Sequence, residues 1–204
     1  MPTTTPRRSF RQQMLHVRQE AILEATCQLL GEKNFTAMTM DDVADAVGIA
    51  KASLYKHFSS KEDLCCAAVV QVLAQVSAYL AALAPDMAPV DKLRAVVGWS
   101  LQRVLAQEMP QLPSRHSPLR AVLMEHPECL GELTAVSDQL GQWIIKAQQQ
   151  GSINAALPPL VVLYTLYARA CDPVVGFLQG CGQYGDAEIV ELVLRTCFDG
   201  LVER

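Results

Sequence analysis

The chain has 204 residues, with 17 Lys and Arg against 21 Asp and Glu for a net charge of −4, and it is 50% hydrophobic but only 6% aromatic. That length buries roughly 70% of the unfolded surface, while the mild acidity excludes a protein that coats nucleic acid through overall basicity. Residues 1–64 balance eight cations against eight acids and the remainder carries nine against thirteen, so any nucleic-acid contact must be local. The seven cysteines, odd in number and irregularly spaced, exclude a disulfide framework. Neither a signal peptide nor an apolar run of about 18 residues is read in the sequence, so the expectation is a cytoplasmic protein with no membrane partner.

Residues 1–9, rich in Thr and Pro and bearing Arg7 and Arg8, read as a disordered basic arm with little to bury. A first helix begins near Phe10, buries Ile22, Leu23, Thr26, Leu29 and Leu30 at helical spacing, and stops at Asn34, a residue tolerant of positive φ. Thr39, followed three residues later by Asp42, has the form of a capping box and starts a short helix at Met40 that ends at Gly48. Residues 50–58 form the next helix, with Leu54 and Phe58 facing inward. Two short helices about a glycine turn are the helix-turn-helix pattern.

Ser60 caps a long helix from Lys61 to about Leu83. Further helices are expected over 90–109, 118–126 and 127–150, the last with Pro127 in its first turn and Gly151 beyond its end. Two more, over 157–178 and 186–202, flank the glycine-rich QGCGQYGD.

In a helix-turn-helix the second helix enters the major groove, so the outward side chains of residues 50–58 carry the chemistry. Lys51, Ser53, Tyr55, Lys56 and His57 cannot share the inward face of Leu54 and Phe58, and they form a donor-rich surface suited to phosphates and base edges. Lys61 stands at a helix start, where acids are preferred, which points to an external anion as its partner.

The segment from about Arg18 to Leu64, containing QEAILEATCQLLGEKNFTAMTMDDVADAVGIAKASLYKHFSSKEDL, resembles the DNA-binding domain of the TetR family of bacterial transcriptional regulators; LYKHF and SKEDL are its most specific pieces. The resemblance implies an all-α chain: a three-helix helix-turn-helix domain over 10–60 and a six-helix ligand-binding and dimerisation domain over 61–204. It implies that Thr39 contacts a phosphate, that Lys51, Ala52 and Ser53 lie nearest the bases, that Tyr55, His57 and Lys61 hold phosphates, and that Lys56 does either. Ala50 and Ala52 stand where the family often has a hydroxyl residue and a glycine, leaving the recognition helix without its usual side-chain cap and bearing on operator preference. The implied partners are double-stranded DNA with a near-palindromic operator, a small-molecule effector and a second copy of the chain.

For the body, Trp99, Arg103, Met109, His116, Met124, Trp143, Tyr164 and Tyr167 are the candidates to line a pocket for an apolar or aromatic ligand. Leu163, Leu166, Val174, Ile189, Val193, Cys197 and Leu201 are the candidate dimer contacts, because the apolar arcs of the last two helices are too wide for one contact. Arg169, in an apolar helix, should pair with Asp172. Alternatives on the same residues are a regulator sensing redox through its cysteines and a helical adaptor without DNA binding. His116, His126 and Cys129 lack the spacing of a metal site. No catalytic constellation, metal or cofactor is expected.

Overall fold

The computed structural model describes residues 10–109 and 117–199, and every regular element among them is an α-helix. In chain order these are α1 (Phe10–Ala37), α2 (Met40–Val47), α3 (Lys51–Leu54), α4 (Lys61–Ala82), α5 (Pro89–Leu105), α6 (Pro118–Glu125), α7 (Pro127–Gln149), α8 (Pro159–Ala170), α9 (Val174–Gly180) and α10 (Asp186–Asp199). The expected basic arm and the end of the last helix lie outside the described residues.

Local chemistry accounts for the boundaries at the amino end. Asn34 breaks α1 with φ 61° and ψ 169°, and its Oδ1 accepts from the N–H groups of Thr36 and Ala37. The capping box is complete: Thr39 Oγ1 accepts from Asp42 N–H at 3.1 Å, and Asp42 Oδ2 accepts from Thr39 N–H at 2.8 Å. Gly48 ends α2 in the left-handed conformation, φ 70°. Ser60 accepts from Asp63 N–H at 3.0 Å and starts α4.

Three helices are shorter than the sequence pattern indicates. Only residues 51–54 of the expected 50–58 are α-helical; the rest continues as hydrogen-bonded turns, with His57 and Phe58 N–H both donating to Leu54 O. The helix expected to Met109 ends at Leu105, after which Gln107 takes φ 60°. The segment expected as one helix over 157–178 is two, α8 and α9. Pro173 has no N–H to donate and disfavours helix in Asp172 before it; Asp172 Oδ1 instead accepts from Val174 N–H.

Two clusters of buried side chains meet along α4. One gathers Ile22, Leu30, Val43, Leu54, Phe58, Leu64, Ala68 and Val72 with Leu119, Leu123 and Cys129; the other gathers Val76 and Leu80 with α5, α7, α8, α9 and α10. The reading of no apolar run long enough for a membrane needs correction: α4, with mean hydropathy 1.8, and the span Pro159–Gly180, at 1.3, meet that test by length and composition. The apolar side chains of α4 have protein partners instead, with Leu64, Cys65, Cys66, Ala68, Val72, Val76 and Leu80 buried.

The apolar arc of α10 is likewise absorbed within the chain. Ile189, Val193 and Cys197 are buried, as are Leu163 and Leu166 of α8, so these five are core residues rather than dimer contacts. Val174 is exposed, and Leu201 lies outside the described residues. The apolar side chains left in solvent on α8 and α9 are instead Leu160, Val161, Tyr164, Val174 and Phe177, the last 78% exposed.

Among the described glycines, Gly98 is the one at which an added Cβ would meet a close neighbour, Leu194 Cδ1 at 3.2 Å, where α5 packs on α10. Gly98→Leu should therefore lower the unfolding free energy by about 1–3 kcal/mol, the usual cost of overpacking. Urea denaturation checks this, and a second change, Leu194→Ala, should restore part of the loss.

Candidate nucleic-acid interface

The surface in question rests on two anchors. Leu54 is fully buried and Phe58 is 7% exposed, both in the cluster shared by α1, α2 and α4. With that face held inward, Lys51, Ala52, Tyr55 and Lys56 are exposed, and Ser53 and His57 are half-buried. Tyr55, 47% exposed, is a large aromatic in water. Ala50, at the start of α3, makes no side-chain cap, as its lack of a hydroxyl requires.

Each cation here has a distinct environment. Lys51 Nζ pairs with Asp41 Oδ2 at 2.8 Å, tying α3 to the first turn of α2, and that carboxylate raises the lysine's pKa. Lys33 pairs with Asp42 at 2.8 Å. Lys61 corrects the sequence reading of a cation awaiting an external anion. Its Nζ donates to the carbonyls of Phe35 at 2.9 Å and Met38 at 3.2 Å and lies 4.3 Å from the centroid of the Phe35 ring. Lys61 thus satisfies the carbonyls after the break in α1, a structural function that competes with holding a phosphate. Thr39 is exposed, but its hydroxyl is engaged by Asp42.

A cleft of about 700 Å³ opens between α1 and α3, lined by Leu15, His16, Arg18, Gln19, Ser53, Lys56 and His57. Sequence reasoning identified its α3 wall and missed its α1 wall, whose residues lie some 35 positions earlier. The signal available was Arg18, at the edge of the resembling segment, on a helix whose buried face begins only at Ile22.

The body candidates do not converge on one site. Trp99 stacks on Tyr79 with centroids 5.0 Å apart, and Arg103 lies 5.5 Å from the Trp99 ring. Arg103 also donates to Gln75 Oε1 at 2.9 Å and pairs with Glu108 at 2.8 Å, joining α5 to α4. Met109 packs against both buried clusters. Trp143 is a core residue with Lys92 Nζ 5.5 Å from its ring. Tyr167 shares a 2.8 Å hydrogen bond with Ser137 of α7, and burial raises its pKa. Met124 and Tyr164 point to solvent, which removes them from an interior pocket, and His116 lies outside the described residues. Arg169 pairs with Asp172 at 2.6 Å, as expected.

The thiols argue for packing. Burial pushes Cys27 and Cys65 up to about 12 and Cys66 up to about 11, and raises Cys129 and Cys197, which keeps all five in the protonated, weakly nucleophilic form. Among the described residues, no group of three His, Cys, Asp or Glu side chains is placed to hold a metal.

The family model for bacterial regulatory proteins of the tetR family matches residues 22–68, the stretch that builds this surface. Over that stretch the chain resembles the TetR-family regulators. The sequence likeness is confined to the matched stretch, and beyond it the likeness is one of fold alone. The biofilm operon icaADBC HTH-type negative transcriptional regulator IcaR of Staphylococcus aureus is 42% identical over 45 residues, 22% of this chain and 24% of its own length. The chain thus matches about a quarter of that relative. A TetR family transcription regulator from Marinobacter aquaeolei VT8 superposes with TM-score 0.66 at 22% identity, over 94% of this chain and 99% of its own. AibR, crystallised with isovaleryl coenzyme A and operator DNA, superposes with TM-score 0.63 at 21% identity, over 89% and 98%.

The surface of α3 depends on the capping box that orients α2, and Asp42 gives that dependence a pH signature. Hydrogen bonds from Lys33 and Thr39 lower its pKa from 3.8 to about 2. A carboxyl lowered in the folded state stabilises the protein above its unfolded pKa and loses that contribution as pH falls through the folded value. The window therefore runs from about pH 4 down to about pH 2. Acid unfolding of Asp42→Asn, followed by circular dichroism, should lack the part of the acid-induced loss that wild type shows in that window.

Proposed function

We propose that this protein is a DNA-binding transcriptional repressor that acts as a homodimer on a near-palindromic operator and leaves it when a small molecule occupies the body. Residues 10–60 are the DNA-reading unit and 61–204 the effector-binding and dimerising body. The observation that carries the reading is the outward presentation of Lys51, Ser53, Tyr55, Lys56 and His57 by α3 and the turns after it, whose inward side chains, Leu54 and Phe58, are anchored in the core. Lys51 and Ser53 lie toward base edges, whereas Tyr55 and His57 suit phosphates. The exposed apolar side chains of α8 and α9 supply the face for the second copy, in place of the buried residues of α10. Two-fold symmetry then sets half-sites one helical turn apart, about 34–36 Å, or a multiple of it.

Binding to a labelled fragment of the DNA upstream of its own coding sequence tests this. The logarithm of affinity should fall linearly with the logarithm of salt concentration, with a slope of about −0.9 per phosphate contacted. Tyr55→Ala should weaken binding to all sequences alike, whereas Lys51→Ala should change which sequence is preferred. Equal binding by wild type and Tyr55→Ala would contradict the assignment.

For the effector, we place the recognition cluster at Tyr79, Trp99 and Arg103, two stacked rings beside a cation that reaches Gln75 of α4. An anion with an apolar or aromatic body fits that chemistry, and AibR, which shares the fold, was crystallised with isovaleryl coenzyme A. An effector that takes Arg103 from Gln75 alters how α4 is held, and α4 leads to the DNA-reading unit. Coupling of this kind is typically worth about 1–3 kcal/mol. Isovaleryl coenzyme A as probe should release the DNA complex of wild type, and Arg103→Ala should still bind DNA but lose the response; release undiminished in Arg103→Ala would place the effector elsewhere.

A further inference from the structure

Among the described side chains at the amino-terminal end, the cations divide into two sets. Lys33 and Lys51 hold carboxylates, and Lys61 holds two backbone carbonyls. Arg18 and Lys56, by contrast, make no side-chain hydrogen bond or ion pair among the described residues, and both line the cleft between α1 and α3. They come from opposite walls: Arg18 stands with His16 and Gln19 on α1, and Lys56 follows α3 with His57. His16 already has a partner in Glu20 at 3.3 Å, whereas Gln19 and His57 make no side-chain hydrogen bond among the described residues. Among the described residues of this unit, unpaired charge and unpaired donors thus meet in one concave feature beside α3. A groove with cationic tips and amide and imidazole donors is suited to a phosphodiester, whose oxygens accept several charge-assisted hydrogen bonds at once.

We propose that this cleft is a phosphate-backbone clamp, in which Arg18 of α1 and Lys56 after α3 hold the same stretch of a DNA strand from two sides and set how deeply α3 sits in the groove. The inference rests on the DNA-binding reading above and adds α1 to the elements that touch DNA. Arg18 carries no base information in this arrangement; it fixes position, so its loss weakens every sequence equally. The exposed run Leu15–Gln19 follows from the same arrangement, because a wall that faces a DNA strand in the complex must stay uncovered in the free protein.

The test uses the full chain with Arg18→Gln, which removes the charge and leaves a helix-forming side chain, and with Arg195→Gln on α10 as a charge-matched control. Binding is measured against the upstream fragment and against a mixed-sequence duplex over a range of salt. Arg18→Gln should weaken both duplexes by the same factor and reduce the magnitude of the salt slope by about 0.9 for each Arg18 that reaches a phosphate. Lys56→Gln should act similarly on the slope, the melting temperature of Arg18→Gln should match wild type, and Arg195→Gln should change neither slope nor affinity. If wild type binds DNA and Tyr55→Ala weakens it, yet Arg18→Gln keeps the wild-type slope, the clamp is wrong while the DNA-binding reading stands. If inorganic phosphate perturbs Arg18 and DNA does not, the cleft serves a free anion and the clamp is again overturned. If wild type binds neither duplex, both readings fall together.

Discussion

The burial of Leu54 and Phe58 is the constraint on which the amino-terminal surface depends. A helix of four residues has no stability of its own, because nucleation costs more than one turn of hydrogen bonds returns. Here α3 and the turns after it persist because two large apolar side chains are fixed in a core made by α1, α2 and α4. Once those two point inward, geometry leaves Lys51, Tyr55 and Lys56 no direction but outward. The neighbouring contacts serve the same end. The Thr39 and Asp42 box orients α2, the Lys51 and Asp41 pair ties α3 to it, and Lys61 closes the carbonyls after the break in α1.

The second organising feature is that α4 belongs to both buried clusters. Its first half, with Leu64 and Ala68, completes the core beneath α3, while Val76 and Leu80 lie in the core of the body. Between them Gln75 accepts a hydrogen bond from Arg103 of α5. A displacement of α4 in the body must therefore be felt in the core that orients α3, since packed interiors transmit strain rather than absorb it. This makes the proposed coupling mechanical, and it requires no contact between effector and DNA.

Much of the amino-terminal unit was legible because its signals are local. The capping box spans four residues, the turn at Gly48 needs one glycine, and the break at Asn34 needs one residue tolerant of positive φ. What the sequence hid was tertiary. Lys61 looked unpaired because its partners lie 23 and 26 positions earlier. The α1 wall of the cleft was invisible for the same reason. In the body, apolar continuity over 157–178 outweighed Pro173, although the proline splits the segment in two. The wide apolar arc of α10 was read as an interface because periodicity reports how much of a helix is apolar and says nothing of whether the chain covers it itself.

The central claim is that the short helix after Gly48 is read into the major groove of duplex DNA. Methylation interference tests it most directly, because modification of guanine N7 blocks a major-groove contact and leaves the minor groove unaltered there. On the upstream fragment, interference should fall at guanines in two half-sites related by symmetry and separated by whole helical turns. Retained binding with no interference at any guanine N7 of a guanine-containing half-site, or protection confined to minor-groove positions, would contradict the claim.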